Sequence, residues 1–433
     1  MSSVTTPTFP ELVRASARIG ALSFGGPAGQ IALMHREFVD ERRWVEEGAF
    51  LRALNLCHLL PGPEAQQLAT WIGWRLHGVR GGLAAGLLFV IPGALVMLGL
   101  SFLYVQATGL GWFDALFLGI KAAVLAIVAQ ALVRVGGRAL RTPFKHALAL
   151  VAFLTLALFS APFPMVIALA AVVGAVVSRS RPEWLGTHAP PPPAADAPRA
   201  RSLVRSTVVT IATWLAVWAA PMALVAATLG TGHVLWDVGV FFSKLAVVTF
   251  GGAYAVLGYM AQEAVGGLGW LRPGEMADGL GLAESTPGPL IMVTQFVGFL
   301  AGWRDAAPFT PAGGALAAAA LTTWVTFAPC FLWIFACAPW MDRLERSPAL
   351  QGALSAITAA VVGVIANLAL WFAWHVLFPA FDTSVPGWGF DWRAGVIAIV
   401  AAILLFPAKR GILLTLTVCA ALGLALGLFF PPG

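Results

Sequence analysis

The chain has 433 residues, of which 59% are hydrophobic and only 11% are charged. Soluble globular domains have ~45–50% apolar and ~25% charged residues, and a mean hydropathy of +0.84 points the same way. The composition therefore excludes a soluble fold. The net charge of +6 comes from basic residues that flank apolar runs. This is the pattern of cytoplasmic loops in membrane proteins, so we expect the lipid bilayer and no nucleic acid as a partner.

Apolar runs separated by short polar segments follow one another along the whole chain. Each is long enough to form a membrane helix, or two helical segments that reach part of the way across. The sequence thus predicts an all-α, polytopic integral membrane protein with about 9–13 membrane elements. The runs are residues 12–34, 50–77, 81–104, 112–134, 146–160, 163–178, 207–229, 236–260, 276–302, 312–338, 350–378, 391–406 and 411–430.

The two halves of the chain repeat each other at a constant spacing. Phe-Gly-Gly at 24–26 recurs at 250–252, and Pro-Gly-Pro at 61–63 recurs at 287–289, so both offsets are 226 residues. An ungapped match at one offset over about forty residues is hard to obtain from biased composition alone. We interpret it as an internal duplication.

A hydrophilic segment rich in Pro and Arg, 179–206, separates the repeats and is interpreted as a cytoplasmic linker. Residues 1–178 form the first repeat, and residues 207–433 contain one extra span followed by the second repeat. An odd number of elements lies between the starts of the two repeats. The repeats should therefore be inverted relative to each other in the membrane, as in many secondary transporters.

Two apolar runs in each repeat are interrupted by glycine and proline. Pro removes a backbone donor and Gly allows unusual backbone angles, so runs 12–34 and 50–77 should break at 24–27 and at 61–63. Each side of a break is ~16–22 Å of helix, enough to reach the middle of the bilayer. We expect hairpins that enter and leave on one side, with the basic segments 35–49 and 134–145 in the cytoplasm.

Helix breaks inside a membrane favour binding of an anion. The first N–H groups of a helix lack partners and carry the positive end of its dipole, so four matched breaks could converge on one anion near the midplane. Ser285 and Thr286 add hydroxyl donors beside the second Pro-Gly-Pro. A proline kink satisfied by neighbouring helices is the alternative for any single break.

Three cations are candidates for holding the anion. Arg18 and Lys244 each precede a Phe-Gly-Gly by six residues, about two turns from the break, and snorkelling to the surface is the alternative. Lys121 lies near the centre of the apolar run 113–133, where an unpaired ammonium costs several kcal/mol. Its alternative is a structural ion pair with Asp114 or Glu64.

Two acidic residues beside the breaks are candidates for a coupling proton. Glu64 follows the first Pro-Gly-Pro directly, where a carboxylate suits a helix N-terminus but repels a bound anion. It either carries a proton during transport or caps the helix. Glu284, just before the second Pro-Gly-Pro, is interpreted as its rough counterpart.

Other kinds of chemistry are excluded by missing motifs. The chain has no Gly-Lys dipeptide, hence no Walker A loop, and no HExxH or CxxCH motif. ATP should not drive the protein directly, and we expect no metal, no cofactor and no enzymatic activity. The function predicted from the residues is secondary transport of an anion, with an uncoupled channel left open.

The motifs together resemble the chromate ion transporter (CHR) family. The resemblance is carried in the first half by Ser-Phe-Gly-Gly-Pro-Ala at 23–28, Arg-Glu-Phe at 36–38 and Leu-Pro-Gly-Pro at 60–63. In the second half it is carried by Thr-Phe-Gly-Gly at 249–252 and Glu-Ser-Thr-Pro-Gly-Pro at 284–289. It covers nearly the whole chain, as in two-domain members of the family.

The resemblance implies an inner-membrane exporter of chromate, with sulfate as a similar oxyanion, driven by a proton gradient or the membrane potential. Import of a sulfate-like anion is an alternative, and a homo-oligomer is left open. Ala253 stands where the first repeat has Pro27, so the two Phe-Gly-Gly breaks need not contribute equally. Together with the breaks, the resemblance marks as substrate-binding Phe24, Gly25, Gly26, Pro27, Pro61, Gly62, Pro63, Gln66, Phe250, Gly251, Gly252, Ser285, Thr286, Pro287, Gly288 and Pro289.

Overall fold

The computed structural model describes residues 6–24, 26–186, 200–379 and 389–430, apart from the side chains of 200–202 and 273. These residues form helices and connecting turns, with no strand among them, which confirms the all-α prediction. Within them, 7 helices are long and apolar enough to cross a membrane, which agrees with a polytopic membrane protein. They cover Glu64–Ala107, Gly111–Ala139, Phe163–Ser180, Leu203–Thr228, Pro311–Leu344, Pro348–Leu377 and Ile412–Phe429.

The first half contains seven helices longer than one turn and one very short helix. They are α1 (Phe9–Leu22), α2 (Gly26–His35), α3 (Glu47–Leu59), α4 (Glu64–Ala107), α5 (Gly111–Ala139), α6 (Pro143–Phe159), α7 (Phe163–Ser180) and α8 (Pro182–Leu185). A π-helical turn at Arg36–Glu41 extends α2. Gly25 lies outside the described residues.

The second half begins with a single additional helix, α9 (Ala200–Thr228). The remaining helices are α10 (Val234–Val248), α11 (Ala253–Gln262), α12 (Pro273–Ser285), α13 (Val293–Arg304), α14 (Pro311–Cys337), α15 (Met341–Leu344), α16 (Pro348–Leu377), α17 (Trp392–Leu405) and α18 (Ile412–Phe429). A second π-helical turn, Glu263–Gly267, extends α11 as the first extends α2.

Helix ends in the two halves agree with the offset of 226 residues. Helix α3 spans Glu47–Leu59 and α12 spans Pro273–Ser285, so both ends differ by that offset. The four predicted breaks are present, between α1 and α2, α3 and α4, α10 and α11, and α12 and α13. The duplication seen in the sequence is thus matched by the positions of the helices.

Two boundaries differ from the sequence-based expectation. Helix α4 joins two expected elements, because the chain remains helical through a kink at His77 (φ −138°) and Gly78 (φ 61°). The residue equivalent to Gly78 in the second half is Arg304, where α13 ends. Helix α9 begins at Ala200, so the last residues of the expected linker 179–206 are helical. Residues 187–199 of that linker lie outside the described residues.

The long helices of each half pack against the other half. Helix α5 packs on α17 and α18, and its counterpart α16 packs on α6 and α7. Small residues allow the close approach: a Cβ at Gly119 would collide with the carbonyl oxygen of Cys419, and one at Gly174 with that of Gly352. Because each long helix packs on helices of the other half, the two halves form one body. The four breaks lie between the halves.

Candidate functional site

The four helix breaks meet in pairs, one from each half. The N–H of Gly62 donates to the carbonyl of Thr249 at 2.7 Å, and the N–H of Gly288 donates to that of Ser23 at 2.9 Å. Each donor and each acceptor is related to its counterpart by the offset of 226. The hydrogen bonds therefore follow the internal repeat, with the Pro-Gly-Pro of one half held by the Phe-Gly-Gly segment of the other.

Several predicted anion donors are already engaged in these contacts. The N–H groups of Gly62 and Gly288 are occupied by the cross-half bonds. The hydroxyl of Ser285 donates to the carbonyl of Leu282 at 2.8 Å, and that of Thr286 donates to the carbonyl of Ala283 at 3.0 Å. In this conformation these groups hold the backbone together, and their role in binding an anion stays a prediction.

Glutamine side chains reinforce the breaks. The Gln30 amide donates to the carbonyl of Gly288 at 2.6 Å and to that of Ser23 at 3.3 Å, and the Gln67 amide donates to the carbonyl of Pro61 at 2.7 Å. The predicted site residue Gln66 is fully buried and donates to the Thr70 hydroxyl at 3.1 Å. All three amides act on the protein itself here.

A cavity of about 360 Å³ lies between the halves, next to the breaks. A cavity needs only ~10–15 Å³ of such volume to hold one water molecule, so this one has room for a hydrated oxyanion. Arg134, Arg138, His58 and Ala28 are exposed at its mouth, and Glu64, 7% exposed, lies at its inner end. The lining residues are Pro27, Ala28, Ile31, His58, Glu64, Ala131, Arg134, Val135, Arg138, Ala139, Gly251, Gly252, Ala253, Tyr254 and Thr358.

Three helices point their N-terminal ends at this cavity. It is lined by the first residues of α2 (Pro27 and Ala28), the first residue of α4 (Glu64), and the first residues of α11 (Ala253 and Tyr254). Each end presents unpaired N–H groups and the positive end of a helix dipole. The predicted convergence on one place is therefore seen for three of the four helices that follow a break.

Two arginines add full positive charges to these partial ones. Arg134 and Arg138 lie one turn apart near the end of α5 and line the cavity together. Arg134 also donates to the side chain of Gln130 at 3.0 Å, which orients the guanidinium. Guanidinium groups bind oxyanions through two parallel N–H donors, so the pair suits a tetrahedral dianion.

Tyr254 in the cavity wall is paired with a buried carboxylate behind it. The hydroxyl of Tyr254 donates to Oε1 of Glu284 in a very short hydrogen bond, and Glu284 is 2% exposed. Arg134 and Tyr254 line the same cavity. The offset of 226 makes His58 the equivalent of Glu284, so the expectation that Glu284 corresponds to Glu64 is wrong. Leu290 is the residue equivalent to Glu64.

The three predicted cations lie outside the cavity lining. Arg18 is exposed and lies 3.8 Å from the buried carboxylate of Glu37, and Lys244 is exposed. Lys121 pairs with Asp278 at 3.3 Å, in place of the Asp114 or Glu64 considered from the sequence. The structure thus separates Lys121 from the cavity and gives it a specific counter-ion.

Of the predicted binding residues, Pro27, Gly251, Gly252 and Glu64 line the cavity. The remaining described members lie behind them in the breaks or their flanks. They are Phe24, Gly26, Pro61, Gly62, Pro63, Gln66, Phe250, Ser285, Thr286, Pro287, Gly288 and Pro289.

Sequence reasoning missed Arg134, Arg138 and Tyr254 as cavity residues, and Asp278 as the counter-ion of Lys121. The two arginines had been assigned to a cytoplasmic loop, whereas α5 continues to Ala139. Their spacing of four residues, directly after an apolar run, is a signal that would have placed them on one helical face.

The profile of the chromate transporter family matches residues 10–175 and 236–424, once in each half. The chain is 35% identical to a chromate transport protein of Pseudomonas aeruginosa over 367 residues, which cover 83% of this chain and 79% of the relative. It is 28% identical to a chromate transport protein of Cupriavidus metallidurans over 408 residues, 94% of this chain and 90% of the relative.

No solved structure matches the chain. The family profile covers both halves, and the Pseudomonas relative is matched over most of its length. The chain is a multi-pass membrane protein and belongs to the chromate transporter family.

Proposed function

We propose that this protein exports chromate across the cytoplasmic membrane, and that the cavity between its halves is the entry site for the ion. The observation that carries the proposal is the convergence of three helix N-termini with Arg134 and Arg138 on one space of about 360 Å³. Partial and full positive charges combined in one cavity select for an anion. The names of the relatives support chromate as that anion.

The sidedness of the cavity supports export. The basic segments 36–43 and 134–141 lie at the same end of the sequence-derived topology, the cytoplasmic end by the positive-inside rule. Arg134 and Arg138 are exposed at the mouth of the cavity. The cavity would therefore collect the ion from the cytoplasm.

Alternating access between inverted halves is the mechanism we propose. The breaks of one half are bonded to those of the other through matched contacts, Gly62 to Thr249 and Gly288 to Ser23. Two related halves that share a central contact can each adopt the conformation that the other has in this structure. Such an exchange would close the present cavity and open an equivalent one on the other side.

The membrane potential is sufficient to drive the export of a dianion. Moving one charge through 100 mV is worth ~2.3 kcal/mol, so a dianion leaving a negative interior gains ~4.6 kcal/mol. That corresponds to a concentration ratio of roughly 10³. Proton antiport is not required by this balance.

Glu64 is proposed to be protonated when the oxyanion binds. Its carboxyl group is buried at the inner end of the cavity and at the N-terminus of α4. A carboxylate there competes with the oxyanion for the same positive field, and protonation removes the competition. Binding of chromate should therefore weaken as the pH rises, and a Glu64→Gln variant should lose this dependence.

Transport into inside-out proteoliposomes tests the proposal. Labelled chromate and sulfate are offered separately under an imposed potential, under a pH gradient, and under neither. Saturable chromate uptake driven by the potential, with exchange against unlabelled chromate on the far side, is expected. Uptake that neither saturates nor exchanges would favour a channel, and no chromate movement would contradict the proposed substrate. Glu64→Gln should transport with a flat pH profile.

A further inference from the structure

Lys121 does not line the cavity, but the internal repeat makes it the counterpart of a residue that does. In the matching parts of α5 and α16, Ala122-Ala123-Val124 corresponds to Ala359-Ala360-Val361, an offset of 237 residues. By this register Lys121 is the counterpart of Thr358. Thr358 lines the cavity next to Arg134 and Arg138. Lys121 therefore occupies the position in the second, equivalent site that Thr358 occupies in the first.

That second site is closed in this structure by apolar side chains. Glu64 is replaced by Leu290 (2% exposed), Ala131 by Leu368 (1%) and Val135 by Phe372 (0%). Where the first site is an open space, the equivalent positions are packed together. The side chain of Lys121 is still 29% exposed.

The charge of Lys121 is neutralised by a buried carboxylate. Its Nζ lies 3.3 Å from Oδ2 of Asp278, and the hydroxyl of Tyr104 donates to the same oxygen at 2.8 Å. The other oxygen of Asp278 is buried without a hydrogen-bond partner among the described residues. An ammonium in this apolar setting needs an anion, and an incoming oxyanion can replace the carboxylate in that role.

Lys121 lies near the middle of α5 and Arg134 lies near its C-terminal end. They are separated by 13 residues on α5, which is ~20 Å of α-helix. Cations at these two depths give a transported anion one partner on entry and another on exit. The two cations cannot hold one ion at the same time.

We propose that Lys121 binds the tetrahedral oxyanion when the protein is open to the outer side, and that Asp278 and Tyr104 hold its charge while that side is closed. The inference rests on the proposed function, since it assigns the second half of the same transport cycle. The oxyanion takes the place of Asp278 on Lys121, so the ammonium stays paired, and Asp278 keeps the hydrogen bond that the Tyr104 hydroxyl donates.

The half-saturation constant for chromate uptake, measured separately from each face of the membrane, tests the inference. Oriented proteoliposomes take up chromate applied at the cytoplasmic or the outer face, for wild type, Lys121→Gln and Arg134→Gln. Lys121→Gln should raise the outer-face constant by about tenfold or more and leave the cytoplasmic one nearly unchanged. Arg134→Gln should show the reverse, and Lys121→Arg should retain most of the outer-face affinity.

A second variant distinguishes a folding defect from a loss of anion binding. Lys121→Gln leaves Asp278 unpaired, so Lys121→Gln/Asp278→Asn, which removes both charges, should recover stability but not outer-face affinity. Equal effects of Lys121→Gln on the two faces, or none on the outer face, would overturn the inference while wild-type transport stands. A wild-type protein that moves neither chromate nor sulfate would overturn the proposed function and the inference together.

Discussion

The cavity and its equivalent in the other half have similar backbones and opposite contents. One is lined by Arg134 and Arg138 and is open at its mouth. The equivalent residues of the other half are Trp371 and His375, whose rings lie 4.1 Å apart and pack together. The duplicated scaffold thus carries a polar site in one half and a packed pair of aromatic rings in the other.

The difference explains why one side is open in this structure. Phe372, Leu368 and Leu290 are fully buried where the cavity has Val135, Ala131 and Glu64. Burial of one such large apolar side chain contributes ~1.5–3 kcal/mol. Three of them favour closure of their side, and the repulsion between Arg134 and Arg138 opposes closure of the other. Side chains, and not the shared backbone, set the resting conformation.

Removing both cavity arginines should give the largest effect. Each charge-assisted contact contributes ~1.5–3 kcal/mol, so Arg134→Gln/Arg138→Gln should weaken chromate binding from the cytoplasmic face by roughly 10²-fold or more. The measurement is the half-saturation constant for uptake. Arg141→Gln removes a nearby exposed charge that does not line the cavity and serves as the control. Equal losses in both variants would mean that only the overall surface charge attracts the ion.

The contacts between the breaks should be sensitive to a single methyl group. Gly62 has φ +115°, and a Cβ there would lie 3.0 Å from Sγ of Cys330 and 3.0 Å from the Gln67 amide. Gly62→Ala should cost ~1–3 kcal/mol through backbone strain, plus the cost of moving these neighbours. Thermal unfolding in detergent measures the loss.

The matched variant in the other half sharpens the comparison. Gly288, with φ +90°, has its nearest neighbour at 3.3 Å, so Gly288→Ala should destabilise through strain but less than Gly62→Ala. Gly99→Ala is the control, because nothing lies within 4 Å of a Cβ there. If both break variants unfold like Gly99→Ala, the left-handed backbone and close contacts at the breaks do not limit stability.

The smallest expected effect is a pH dependence confined to the first half. Burial lowers the pKa of His35, but hydrogen bonds and charges from Glu47 and Asp40 outweigh it and raise the pKa above its usual 6.5. Its Nε2 lies 2.6 Å from the Glu47 carboxylate. The stabilisation is complete below the unfolded pKa and is lost as the pH rises through the raised folded pKa.

A His35→Gln variant isolates this contribution. Because Glu47 is largely exposed, the effect should be no more than ~1 kcal/mol. Unfolding of wild type and variant should differ at low pH and converge at high pH. A difference that grows with rising pH would show that the imidazolium is not stabilised by these carboxylates.

The sequence was enough to predict the helix breaks and their pairing between repeats. Gly and Pro act locally, so the Phe-Gly-Gly and Pro-Gly-Pro motifs determine where helices stop wherever they occur. The constant offset then indicated which breaks are equivalent, and α3 and α12 agree with it at both ends. These features depend on neighbouring residues alone.

The charged partners could not be predicted in the same way. Lys121 and Asp278 are far apart in sequence and meet only because α12 packs on α5. The role of Arg134 depended on where α5 ends, and helix ends are uncertain by several residues in any reading of periodicity. No sequence pattern around Tyr254 predicts its hydrogen bond with Glu284, which lies 30 residues further along the chain. Such contacts depend on tertiary packing.

One side of the protein is open and its equivalent is closed, and cysteine labelling tests this difference most directly. Ile31 lines the cavity, and its equivalent Leu257 is 0% exposed. The native Cys57, Cys330 and Cys419 are buried, so the Cys337→Ser variant should react little with the reagent and serves as the background for both substitutions. A membrane-impermeant maleimide applied from the cytoplasmic face should react quickly with Ile31→Cys, whereas Leu257→Cys should stay unlabelled when the reagent is applied from either face. Equal labelling of both, or labelling of Leu257→Cys alone, would contradict the account.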